Sequence, residues 1–123
     1  MRSHRPRRGA RLALGLALLV AGSQAALAHA ILVEASPAAG STVSGPQLEI
    51  KLRFNSRIDG PRCHLALAQS GKQERALVLA PQAAPDVLSA RATGLAAGAY
   101  RLRWQVLAAD GHITRGEVPF QVK

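Results

Sequence analysis

In the stretch QLEIKLRF, the residues Leu48, Ile50, Leu52 and Phe54 alternate with Gln47, Glu49, Lys51 and Arg53. The same beat returns in YRLRWQV, where Tyr100, Leu102, Trp104 and Val106 alternate with Arg101, Arg103 and Gln105. It returns again in EVPFQV, where Val118, Phe120 and Val122 alternate with Glu117, Pro119 and Gln121. Successive side chains of a strand project to opposite faces, so a period of two predicts strands with one face in a core and one in water. Helices need apolar residues every three or four positions, and no such pattern occurs after residue 28. Weaker strands are expected at Ile31 to Ala35, Arg62 to Gln69, Arg75 to Leu79 and Val87 to Arg91.

Turn signals separate these runs: Pro37 with Gly40, Gly45-Pro46, Asp59-Gly60-Pro61, Ser70-Gly71, Pro81 to Pro85, Gly94, Gly98 and Asp110-Gly111. About seven short strands in one small domain predict an all-β fold, an antiparallel sandwich. Leu95, Gly98 and Tyr100 in LAAGAY have the spacing of a tyrosine corner, which marks Greek-key sandwiches. Pro119 cannot donate to a ladder, so its strand should lie at an edge or turn that position outward.

The first residues follow a different logic. Five arginines (Arg2, Arg5, Arg7, Arg8 and Arg11) precede an apolar run from Leu12 to Ala21, and Ala26-Leu27-Ala28 follows a short polar stretch. A charged start, an apolar run too short to span a bilayer and an A-x-A site together read as a cleaved secretory signal over residues 1–28. The Arg7-Arg8 pair hints at twin-arginine export, but Gly9, Ala10 and Arg11 follow where that route prefers apolar residues, so general secretion is expected. Cutting after Ala28 makes His29 the first residue of the mature chain. Ala28-His29-Ala30 also has small residues at both required positions, and a cut there would delete the histidine. The first site keeps the region before the cut short. The expected organisation is therefore a signal over 1–28 and one periplasmic domain over 29–123, not itself membrane-spanning.

Removing the signal takes five of the 16 basic residues and none of the seven acidic ones, leaving a net charge of +4. That modest excess, with only four aromatic residues, is a poor basis for binding nucleic acid. Cys63 is the only cysteine, so no internal disulfide can form. It is in phase with Leu65 and Leu67, which predicts a small buried hydrophobe. His64 falls on the outward phase and should be a solvated surface imidazole.

His29 and His112 remain. In Asp110-Gly111-His112, residues i and i+2 of an extended backbone point the same way, and Gly111 tolerates unusual backbone angles. Alone, such a triplet is more often a turn than a site. A mature N-terminal His29 changes this, because it offers an α-amine and an imidazole from one residue. The amine's ordinary pKa is about 7.7–8.0, so a metal displaces its proton easily at neutral pH. With a nitrogen from His112 and an oxygen from Asp110, the set has three nitrogens and one oxygen. It suits tetragonal Cu(II) better than thiolate-seeking Cu(I) or oxygen-seeking Ca(II) or Mg(II).

HAILVEASPAAGSTV, LEIKLRFNSRID and LAAGAYRLRWQVLAADGHITRGEVPFQV resemble the periplasmic copper-resistance CopC family, with the middle of the chain (Gln69 to Ala92) least distinctive. The resemblance implies an immunoglobulin-like β-sandwich that binds one Cu(II) through His29, Asp110 and His112. It further implies exchange with an inner-membrane copper transporter of the CopD type. One departure is plain: Met1 is the only methionine, so the methionine-rich Cu(I) site of some members is not expected.

Two other functions stay open at this point. A histidine pair with an N-terminal amine also occurs in the copper brace of polysaccharide monooxygenases. That activity needs an open coordination position and an aromatic surface, and the strand phases turn Phe54, Tyr100, Trp104 and Phe120 inward. The other is an immunoglobulin-like periplasmic module with no metal, in which the Asp-Gly-His segment is only a turn.

Overall fold

The computed structural model describes residues 29–123; the export signal expected over residues 1–28 lies outside the described residues. Eight strands follow in chain order: β1 (Leu32–Ser36), β2 (Thr42–Val43), β3 (Leu48–Phe54), β4 (His64–Ala68), β5 (Arg75–Leu77), β6 (Val87–Ala92), β7 (Gly98–Leu107) and β8 (Ile113–Val122). They form two sheets, one ordered β1-β3-β6 and the other β2-β8-β7-β4-β5. The chain crosses repeatedly between the sheets, as in an immunoglobulin-like Greek key, so most sheet neighbours are distant in sequence. No α-helix occurs among the described residues; Gly60–Arg62 makes a single 3-10 turn. None of the described helices is long and apolar enough to cross a membrane.

The period of two is realised face by face. Ile50, Leu52 and Phe54 of β3 are buried, and Glu49, Lys51 and Arg53 are exposed. In β7 the buried set is Tyr100, Leu102, Trp104 and Val106; in β8 it is Val118, Phe120 and Val122. Each fully buried large side chain contributes about 1.5–3 kcal/mol relative to exposure, so the inner faces specify the strand register. The outer faces carry exposed ion pairs such as Arg53–Glu34 at 2.9 Å and Arg103–Glu117 at 3.3 Å.

Four local expectations can be compared directly. Tyr100 donates its hydroxyl to the carbonyl of Ala96 at 2.7 Å, which is the tyrosine corner. Cys63 is buried, its thiol bonded to the carbonyl of Asp59 at 3.0 Å, and burial pushes its pKa up. His64 is exposed, as its phase predicts. Pro119 is exposed, and its carbonyl accepts the Gly40 amide at 2.7 Å. Because the nitrogen and carbonyl of a strand residue point to one side, its missing N–H faces away from β7 and interrupts no bond between β7 and β8.

Two features differ from the expectations. The two-residue β2 was not predicted, and it pairs in parallel with Gln121 and Val122 of β8, the one parallel pairing among the described strands. β8 also begins at Ile113, well before Glu117. Its first half hides in the sequence because Gly116 occupies a core-facing position with no side chain to register. The missing bulk comes from across the ladder: Trp104 pairs with Gly116, and a Cβ built there would run into the Trp104 ring at Cζ2.

Candidate metal centre

At the end of the sandwich where β7 passes to β8, the turn is tied by two backbone bonds. Ala108 N–H donates to the His112 carbonyl at 2.8 Å, and Gly111 N–H donates to the Ala108 carbonyl at 2.9 Å. Gly111 has a φ of +87°, a left-handed conformation that a glycine adopts without steric penalty. The sequence reading had Asp110 and His112 on one face through strand alternation; the structure reaches the same adjacency by a turn. Asp110 Oδ1 accepts the His112 backbone N–H at 3.0 Å, a side-chain-mimicked turn, and Oδ2 lies 3.0 Å from His112 Nδ1.

These contacts fix the state of the carboxylate. The His112 backbone N–H is the largest influence and holds Asp110 below its ordinary pKa; desolvation comes second and opposes it, and the His112 ring and the charge of His29 add smaller pulls downward. Asp110 is therefore an anion held against the Nδ1 side of the His112 ring. His112 is about half exposed, its side chain retaining 47% of its accessible surface.

The other half of the site arrives from the start of the domain. The His29 ring stands 5.3 Å from the His112 ring, centroid to centroid, with the planes at 74°. His29 itself is exposed, whereas Ala30 is wholly buried in the core. Ile31 is then held by Asn55, which accepts its N–H through Oδ1 at 2.8 Å and donates its own N–H to the Ile31 carbonyl at 2.9 Å. Asn55 was not singled out in the sequence. Asparagine just after a strand is a common turn residue, but nothing local reveals a partner 24 positions away.

The three residues read from the sequence thus lie in a row: His29 beside His112, and His112 bonded to Asp110. Among the described residues, no three His, Cys, Asp or Glu side chains make a finished metal cage. The geometry explains why. Both Asp110 oxygens are turned to His112. Two imidazoles and a carboxylate are adjacent but not closed around a point. Residues 32–123 match the family model described as the CopC domain. The chain belongs to the CopC family. A copper resistance protein C from Xanthomonas campestris pv. juglandis is 31% identical over 109 residues, covering 82% of this chain and 85% of that relative. The crystal structure of CopC from Methylosinus trichosporium OB3b superposes with a TM-score of 0.69 at 33% identity, over 77% of this chain and 94% of that one. PcoC, a methionine-rich copper resistance protein from Escherichia coli, superposes with a TM-score of 0.63 at 27% identity, over 78% of this chain and all of that one. Against that relative, this CopC chain stands apart in having Met1 as its only methionine.

Proposed function

We propose that this protein is a non-enzymatic periplasmic Cu(II) carrier or buffer in copper resistance or homeostasis, binding one ion per mature chain. The ligands are the α-amine and imidazole of His29, the imidazole of His112 and the carboxylate of Asp110. The observation that carries this reading is the His29 ring at 5.3 Å from His112, with Asp110 already ionised beside it. Cu(II) binding requires the Asp110 carboxylate to exchange its bond to His112 for the ion, a small rotation at an exposed turn. The proposed cut after Ala28 frees the amine. Burial of Ala30 supports that cut over the alternative, which would remove a core residue together with the histidine.

Four protein donors fill the plane that Cu(II) prefers, which favours holding and handing over the ion. An oxidoreductase of the histidine-brace type is disfavoured by the same carboxylate and by the burial of Phe54, Tyr100, Trp104 and Phe120, which leaves no aromatic platform. Exchange with an inner-membrane CopD-type transporter is the partner this reading calls for. Cu(I) binding is expected to be weak, since no methionine follows residue 1.

The test is the amine. Placing one glycine before His29, or acetylating His29, keeps every side chain but turns the amine into an amide or moves it away. Loss of one strong donor costs about 3 kcal/mol, roughly a hundredfold in affinity. Competitive Cu(II) titration of the three forms, with circular dichroism as the folding control, should show that loss. Equal affinities would make the amine a bystander and overturn the ligand set.

A further inference from the structure

The two halves of the site come from segments about eighty positions apart, and one short connection grips both. Following β3, Asn55 clasps Ile31 through two bonds, at 2.8 and 2.9 Å. Two residues on, the Arg57 carbonyl accepts the Ala109 N–H at 3.2 Å, and Ile58 pairs with Ala108 as an isolated bridge. Asp59 N–H then donates to the Leu107 carbonyl at 2.9 Å. The segment from Asn55 to Asp59 therefore spans the gap between the start of the domain and the turn bearing Asp110 and His112.

The grips are not equivalent. Those on the turn are all backbone bonds and survive any side-chain change. The grip on the N-terminal side is shared between one backbone bond, from Asn55 N–H to the Ile31 carbonyl, and one bond that needs a side-chain oxygen. Ile31 N–H has Asn55 Oδ1 as its acceptor, and only Ala30, locked in the core, lies between Ile31 and His29. With Ala30 buried and Ile31 clasped, the chain is anchored immediately after His29, whose ring stands beside that of His112.

We infer that Asn55 is a positioning residue of the copper site, fixing the N-terminal histidine so that its amine and ring meet Asp110 and His112 without a search. The inference rests on the copper-binding reading above. Asn55 touches no ligand atom; it acts through Ile31. Pre-ordering a flexible terminus removes an entropic cost from binding, so the clasp should appear in affinity and in the geometry of the bound ion. Sequence alone gives no access to this, because the contact joins a loop side chain to a backbone amide with no periodicity at either end.

The experiment compares the protein beginning at His29 with its Asn55→Ala, Asn55→Asp and His112→Ala variants. Each is measured by competitive Cu(II) titration, by electron paramagnetic resonance of the Cu(II) complex and by thermal unfolding of the metal-free form. Asn55→Ala should lower affinity by about tenfold, the low end of what losing a residue that supports a ligand does. Its spectrum should broaden into more than one copper environment. Asn55→Asp keeps an acceptor oxygen and should restore the single wild-type spectrum. If Asn55→Ala lowers only the melting temperature, with spectrum and affinity unchanged, the residue is structural and the inference falls. If His112→Ala also binds Cu(II) normally, the ligand set itself is wrong, and the inference falls with it for that separate reason.

Discussion

The two ends of β7 close the same strand in opposite ways. At its start, Gly94 and Gly98 have positive φ, and the Tyr100 hydroxyl is folded inward onto the Ala96 carbonyl at 2.7 Å. The tyrosine is buried and its ring stacks on Phe120, so its polar group has a permanent partner. At its end, Gly111 turns the chain, and the polar side chains of Asp110 and His112 bond to each other in view of solvent. A polar group satisfied inside the core holds the fold. One satisfied only by an exposed neighbour can be exchanged for a ligand at little cost to the fold. One end of β7 has its polar group locked into the core; the other carries the exposed pair proposed to bind copper.

That contrast can be broken by mutation. The largest expected effect is on copper: His112→Ala should lose about 3 kcal/mol of Cu(II) affinity, a hundredfold or more by titration. Its unfolding free energy should stay within about 0.5 kcal/mol of wild type, as for other surface changes. A stability loss as large as the affinity loss would erase the distinction between the ends. Next comes Gly116→Ala, on the strand that leaves the Asp110–His112 turn: its Cβ meets the Trp104 ring, so overpacking should cost about 1–3 kcal/mol in denaturant unfolding. Copper affinity should not follow, since Gly116 faces the core. Tyr100→Phe removes one hydrogen bond and should cost about 1 kcal/mol of stability with Cu(II) binding unchanged. The smallest effect is expected on the outer face of the other sheet. There Glu34→Gln breaks the exposed pair with Arg53 and should move stability by no more than about 1 kcal/mol, least of all in high salt.

The same contrast explains what could be read in advance. The strands at Leu48, Tyr100 and Val118 announce themselves because each apolar residue has its own place on an inner face. β2 is held by backbone bonds, the Gln121 amide to the Ser41 carbonyl and the Lys123 amide to the Val43 carbonyl, and such bonds carry no residue signature. The start of β8 was missed because Gly116 borrows its bulk from Trp104. At the candidate centre, ligand chemistry restricts residue type, which is why the sequence singles out His29, Asp110 and His112; the structure sets them side by side, and their role as ligands is the proposal the titrations test. The turn that joins Asp110 to His112, and the clasp of Asn55 on Ile31, depend on three-dimensional contacts that spacing does not encode.

Trp104 has one further consequence, and it is optical. The chain's single tryptophan lies with its indole against Gly116 and edge-on to Phe54 at 5.2 Å, and its Nε1–H is buried without a hydrogen-bond partner. A buried indole usually finds a partner for that proton; this one is shielded from water, with the Phe54 ring beside it. Such a fluorophore emits toward the blue and moves red when water reaches it. The protein thus contains one internal lamp whose colour reports whether the two sheets are still packed, and every stability comparison above can be followed by watching that colour change.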